Sequence, residues 1–305
     1  MSSINILGAA CVDLLLSTVE KEKFFSGKYK VGSMKSRFGG DGLNQAIDLS
    51  RMGNDVSFSF LAGKDMYGDA IKAFLDENRV NYETSSFKDD VDTYLSLVMI
   101  MEDGEHLFVG NENGSLRLFD LNDIFIDEDC RIVSFGSLFI SKKMDTEKYE
   151  RLFSSVKEKG KILCVDCSTP KNGEHVKELS YLKYIDHFFC NIHEAKMLCA
   201  CDDLFECEKM FKEAGAYNVI IKLGKDGCLY NGKVYSPEEQ IKCIDSTGAG
   251  DAFVSGYIHS LNKGENMEKR LSFANHCGGM ACQYIGANEW SAHLLCERDM
   301  NGIHI

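Results

Sequence analysis

Proline is nearly absent from this chain: two in 305 residues, Pro170 and Pro237. With no serine-rich, glycine-rich or repetitive tract beside them, there is no candidate linker and no low-complexity segment. Basic side chains are the minority, 34 Lys and Arg against 47 Asp and Glu, for a formal net charge of −13. A surface so acidic repels a phosphate backbone and argues against nucleic-acid binding, although one pocket inside it can still be locally positive. No stretch supplies the roughly 20 uninterrupted apolar residues that cross a bilayer. The apolar segment 4–16 is broken by Asp13 and follows no basic n-region, so it reads as a buried strand rather than a signal peptide. A second CxxC is also missing. Cys164 and Cys167 form the single such pair on an expected strand, where residues three apart face opposite sides and cannot share a metal or a disulfide. Cys199 and Cys201 carry no more. Thirteen cysteines, an odd number scattered without a secretory signal, point to reduced thiols and a cytoplasmic protein.

What is present is ordinary for a globular chain: 44% apolar and 27% charged residues. Strand-like segments at 4–8, 55–61, 131–135, 161–166, 186–190 and 218–223 alternate with helical patterns at 43–52, 69–78, 145–158 and 204–214. That alternation predicts an α/β fold with a mostly parallel sheet covered on both faces. It fails in two places. Residues 94–101 and 106–109 read as a β-hairpin, and 12–19 and 29–37 are β-like without a helical period. A small extra sheet, inserted from roughly 12–37 and 88–115 and serving as a lid, is the expectation within one domain spanning 1–305.

The strongest chemical signal is Asp245-Ser-Thr-Gly-Ala-Gly-Asp251, after a β-like segment at 241–244 and before a helical run. Gly248, Ala249 and Gly250 are small enough to bring backbone N–H groups close to an anion, where the helix dipole adds positive potential. Asp251 then falls in the first helical turn beside that anion site. A carboxylate so placed is unfavourable unless it has a task, and its natural task is to take the proton of a hydroxyl attacking a phosphoryl group.

These residues resemble the ribokinase-like, or PfkB, sugar and nucleoside kinases. Residues 245–256 are similar to that family's C-terminal signature and Phe38-Gly-Gly-Asp-Gly-Leu-Asn44, continuing to Gly53, to its N-terminal one. Gly63-Lys-Asp65-Met-Tyr-Gly68, Asn191-Ile-His-Glu194 and Lys222-Leu-Gly224-Lys-Asp-Gly227 match further landmarks in the expected order, so the resemblance runs from about residue 4 to residue 288. It implies a three-layer α/β/α core with a β-sheet lid. The activity it implies is transfer of phosphate from ATP, with Mg²⁺, to a hydroxymethyl group of a small sugar or sugar derivative of the ketohexose or pentose class. A nucleoside kinase of the same fold and an inactive sugar-binding protein are the alternatives. A nicotinamide dehydrogenase is disfavoured because Gly8-Ala-Ala-Cys-Val-Asp13 stands where a GxGxxG would be needed.

The resemblance assigns roles residue by residue. Asp251 is the catalytic base, and Gly248, Ala249 and Gly250 form the anion hole. Asp13, Gly39, Gly40 and Asn44 bind the sugar, though Gly39-Gly40 alone could be a tight turn. Asn191, Lys222, Gly224, Gly227 and Asn275 lie against the nucleotide, with Glu194 near the magnesium, through water. Read locally, Asn191 and Glu194 make a helix cap and 222–227 a hairpin corner. Many family members carry Thr where Lys222 stands. Asp245, Thr247, Ala281 and Gly286 match a monovalent-cation site, potassium being the expected ion. Cys11 and Asp41 stand where ribokinases usually have Asn and Lys, which lowers the odds of plain ribose, and the acids at 13 and 41 disfavour an acceptor that is already phosphorylated unless lid cations such as Lys28, Lys35 or Arg37 compensate. In similar kinases lid sheets pack together across a homodimer. Leu95, Leu97 and Met99 alternate as one such face, a monomer with that face over the site being the alternative.

Overall fold

Strand Ile132–Leu138 is buried at every position, the mark of a strand covered on both faces. In the computed structural model, which describes residues 3–20, 30–101, 106–170, 174–239 and 241–294, it lies inside an eight-stranded sheet. The order is Lys233–Tyr235, Cys228–Tyr230, Asn218–Lys222, His187–Asn191, Ile162–Cys167, Ile132–Leu138, Ile4–Leu7 and Val56–Ser59. From Asn218–Lys222 onward the neighbours are parallel, and the first two strands form antiparallel pairs at that edge.

The period-2 geometry of each strand sorts its side chains into two apolar layers. Leu163, Val165, Phe188, Val219 and Ile221 pack against Tyr149, Phe153, Leu198 and Phe211 from helices Thr146–Glu158, Ile192–Cys199 and Leu204–Glu213. Ile4, Ile6, Phe189 and Ile220 face the other way, against Leu43, Ile47, Tyr257 and Ile258 of helices Asp41–Arg51 and Ala249–Asn262. Cys164 and Cys167 belong to opposite layers, both as buried thiols.

A second sheet of four strands runs Ser33–Gly39, Cys11–Val19, Leu95–Met101, His106–Gly110. Cys11–Val19 pairs antiparallel with the first and parallel with Leu95–Met101. The predicted hairpin is present, its turn at 102–105 lying outside the described residues, as do residues 21–29 between the two other β-like stretches. Leu16, Val19, Met99 and Met101 form a small core of their own. Leu95 packs instead on the large core, and among the described residues the apolar surface that stays open on this sheet comes from Met34, Leu107 and Val109, 70%, 48% and 51% exposed.

Two local expectations need correction. The helix expected at 69–78 spans Met66–Glu77, because the Asp65 carboxylate accepts from Tyr67 N and Gly68 N and caps it three residues earlier. Residues 241–244 form no strand. Ile244 N instead donates to the Cys282 carbonyl at 2.7 Å, past the end of helix Met267–Ala281, which ties the segment to that helix rather than to the sheet.

Candidate active site

The parallel strands deliver their C-terminal ends to one crevice, which the N-termini of helices Asp41–Arg51, Ile192–Cys199 and Ala249–Asn262 also border. Gly248 caps the last of these with φ +75°, and a Cβ there would collide with the Ala287 carbonyl. Only glycine meets both demands. Asp251 is in the first turn, buried, and its Oδ2 accepts a hydrogen bond from Asn44 Nδ2 at 2.7 Å. Asn44 Oδ1 in turn accepts from Asn288 Nδ2 at 3.1 Å.

Across the crevice, Lys222 at the end of its strand pairs with Asp166 near the end of another, Nζ to Oδ1 2.7 Å. The same Nζ lies 3.4 Å from the place a Cβ on Gly250 would occupy, which sets the ammonium against the 248–250 turn. Asp41 opens helix Asp41–Arg51, where its Oδ2 accepts from Ser168 Oγ at 2.7 Å. Asp41, Asp166, Glu194 and Asp251 thus share the field of one largely buried lysine. Burial pushes the Asp251 carboxyl well above the ordinary range, and the charges of Asp41 and Asp166 push it further, while Asn44 and Lys222 oppose them. Burial likewise pushes Asp166 up to about 7, with Lys222 acting against it. Lys222 is itself raised: burial works against its charge, but Asp166 and Glu194 outweigh that.

On the far side of Asp41 the small sheet approaches the core. Asp13, on strand Cys11–Val19, stands so close to Gly39 that a Cβ there would meet its Oδ2 at 2.5 Å. Gly40 has φ +99°, and its missing Cβ would lie 2.6 Å from the Ala9 carbonyl. That close backbone approach is what the glycine pair permits. Asp13 is raised by burial, with hydrogen bonds from Ser96 and Cys11 pulling it back. Asp13, Cys11 and Asp41 therefore form a polar, acidic floor continuous with Asp251.

The other sequence-selected residues divide. Asn191 and Glu194 form a reciprocal cap, Asn191 Oδ1 accepting from Glu194 N at 2.9 Å and Glu194 Oε2 from Asn191 N at 2.8 Å. Glu194 nevertheless faces Lys222 electrostatically. Gly224 and Gly227, both at positive φ, make the corner between Asn218–Lys222 and Cys228–Tyr230, directly after Lys222. Asn275 donates to the Tyr235 carbonyl at 2.8 Å and lines a cavity of about 630 Å³ bordered by Pro237, Glu238, Glu239 and Ile241 and by helix Met267–Ala281. Asp245 gathers its loop: Oδ1 accepts from Thr247 N and Oγ1, and Oδ2 from Gly286 N at 3.0 Å. The Ala281 carbonyl accepts from Tyr284 N nearby. Asp166, Ser168 and Asn288 escaped the sequence reading. Asp166 and Ser168 flank Cys167 of the CxxC pair, at the end of a parallel strand, which was the available signal; Asn288 had none beyond its nearness to Gly286.

The model of the pfkB family carbohydrate kinases matches residues 1–293. A probable fructokinase-2 of Arabidopsis thaliana is 26% identical over 298 residues, covering 90% of this chain and 89% of its own. An ATP-dependent 6-phosphofructokinase of Thermoanaerobacterium thermosaccharolyticum is 25% identical over 281 residues, 86% of this chain and 84% of the relative. In fold, the chain is similar to an Arabidopsis thaliana ribokinase solved with ribose and ATP, at TM-score 0.79 and 21% identity, over 96% of this chain and 98% of that one. A match running from the first strand past the 248–250 turn places the chain in the pfkB family of carbohydrate kinases, ATP-dependent phosphotransferases.

Proposed function

We propose that the protein transfers the γ-phosphoryl group of ATP to a hydroxymethyl group of a small, uncharged sugar or sugar derivative of the ketohexose or pentose class. The observation that carries this reading is the Asn44–Asp251 contact, which sets a buried carboxylate between the acidic floor at Asp13 and the cationic turn at Lys222 and Gly250. The acceptor lies on Asp13, Gly39, Gly40 and Asn44, its hydroxyls answering carboxylate and amide groups. Its hydroxymethyl oxygen attacks the γ-phosphorus, Asp251 takes the proton, and the bond to the ADP oxygen breaks. The N–H groups of Gly248 and Gly250 and the Lys222 ammonium stabilise the charge on the phosphoryl oxygens, the Ala249 N–H being held by the Ser246 carbonyl at 3.2 Å.

The nucleotide lies along Asn191, Lys222, Gly224 and Gly227 toward Asn275. The carboxylates facing the crevice suit Mg²⁺, a hard cation bound by oxygen. No ready cluster of three metal-ligating side chains exists among the described residues, which fits an ion carried mainly by phosphates, with Glu194 alongside. When bound, the ion neutralises phosphate charge. Asp245, Thr247 and the carbonyls of Ala281 and Gly286 would hold a potassium ion that stiffens the turn. Asp13 and Asp41 repel an acceptor that already bears phosphate. The small sheet closes over the acceptor and excludes water, and Met34, Leu107 and Val109 on its open face are the surface through which two copies would pair.

The experiment is ATP-to-ADP turnover with Mg²⁺ and K⁺ against pentoses, ketohexoses, phosphorylated ketohexoses and nucleosides. Stimulation by a neutral sugar that disappears in Asp251→Asn supports the assignment. Preference for a phosphorylated sugar or a nucleoside overturns the acceptor class, and turnover surviving in Asp251→Asn overturns the base.

A further inference from the structure

Asn288 reaches the candidate base through a single intermediary. The residue is 6% exposed, and its Nδ2 donates both to Asn44 Oδ1 at 3.1 Å and to the Phe38 carbonyl at 3.3 Å. A backbone carbonyl only accepts, so Phe38 settles which end of the Asn288 amide points inward. With its own Oδ1 engaged by that donor, Asn44 must present Nδ2 on the far side, where it donates to Asp251 Oδ2 at 2.7 Å. The Asn288 backbone is held separately: its carbonyl accepts from the Arg51 guanidinium, which also contacts Asn78 Oδ1 at 2.7 Å. The side chain's own bonds thus go to Asn44 and to the Phe38 carbonyl, while the backbone of its segment is held by Arg51.

We propose that Asn288 is a positioning residue for phosphoryl transfer, holding the Asn44 amide so that its NH₂ rather than its oxygen faces the Asp251 carboxylate. The proposal rests on Asp251 being the base. If Asn44 turned over, a carbonyl oxygen would face the carboxylate and attraction would become repulsion. Few other groups nearby favour the charge on Asp251. Asp41 from helix Asp41–Arg51 and Asp166 from strand Ile162–Cys167 oppose it, and Lys222 from strand Asn218–Lys222 supports it while being shared with Asp166 and Glu194. Phe38 is the penultimate residue of strand Ser33–Gly39, so the same amide also ties the small sheet to the base.

The test compares Asn288→Ala and Asn288→Asp with the unmodified enzyme, reading kcat, KM for ATP, the pH profile and thermal unfolding. Asn288→Ala should lose about tenfold in kcat at neutral pH and move the acidic limb up by about one pH unit, a tenfold change being one unit. KM for ATP should be unchanged. Asn288→Asp keeps the shape but, ionised, accepts instead of donating, so it should show the larger shift; it also serves if the alanine variant does not fold. A folded variant of either kind with unaltered kcat and acidic limb overturns the proposal. Asp251→Asn separates the two readings: inactivity there with normal Asn288 variants sinks only the positioning role, whereas activity there sinks the base and this proposal with it.

Discussion

The Nζ of Lys222 lies 2.7 Å from Oδ1 of Asp166, the two side chains 13% and 5% exposed, at the tips of strands separated by His187–Asn191. Asp41, Glu194 and Asp251 also feel that ammonium, so one cation is divided among four carboxylates. In the proposed nucleotide site, an arriving polyphosphate would have to compete with Asp166 for it.

Removing the lysine separates the two uses of the pair. Lys222→Met should weaken ATP binding and lower stability by about 3–5 kcal/mol, since it strands a buried carboxylate. Urea unfolding and KM for ATP read the two effects. Adding Asp166→Asn should restore much of the stability and none of the affinity. If both recover, Lys222 is only a structural partner of Asp166.

Asp251→Asn should lower kcat by at least about 10³-fold, within the span of general-base effects, and leave ATP binding measurable by calorimetry. The pH dependence has a definite sign. As the proposed base Asp251 would work ionised, and burial beside Asp41 and Asp166 raises its pKa, so activity should fall with decreasing pH well above the normal carboxylate range. Lys222→Met removes an opposing charge and should move that limb higher still. A limb at the ordinary carboxylate pKa of about 4 would contradict the burial argument.

How far these groups were legible in the sequence follows from chain distance. Gly248, Gly250 and Asp251 are contiguous, and their spacing alone states a turn, an anion site and an acid. Asp41 and Ser168 meet from 127 residues apart, and Asn44 and Asn288 from 244. No local pattern encodes such pairs, because strand order brings them together. Glu194 shows the converse: its spacing from Asn191 predicted a cap on local grounds, and the cap is formed. The segment 241–244 looked β-like by composition, but its Ile244 N–H is bonded to the Cys282 carbonyl at the end of a helix rather than to a strand.

Asp48 offers a test of stability apart from catalysis. It is buried, its Oδ1 accepts from Ser291 Oγ at 2.6 Å and its Oδ2 from Trp290 Nε1 at 3.1 Å, and burial lifts it to about 7 despite those bonds and Arg51. The folded state thus holds a proton that the unfolded chain releases near pH 4. Stability from this group is full below that pH and is lost as pH rises toward 7, by about 1.4 kcal/mol per unit. Asp48→Asn should flatten that part of the profile in denaturant titrations. An unchanged slope would show that Asp48 is ionised throughout.

Gly248→Ala tests the turn. A methyl group must displace the Ala287 carbonyl at a residue with φ +75°, so a loss of at least about 1 kcal/mol is expected, with kcat falling more than KM for the sugar rises. Wild-type kcat in a folded variant would remove the turn from the chemistry.

Val12 pairs with Leu95 in parallel, so the small sheet joins two stretches of chain about 80 residues apart. Between them lie helices Asp41–Arg51 and Met66–Glu77 and the edge strand Val56–Ser59. Closing that loop before the large sheet exists costs entropy with nothing yet to offset it. The cover is therefore expected to assemble last during folding. A chain caught just short of that point would hold Lys222, Asp251 and the 248–250 turn in place, with the acceptor side still open to water.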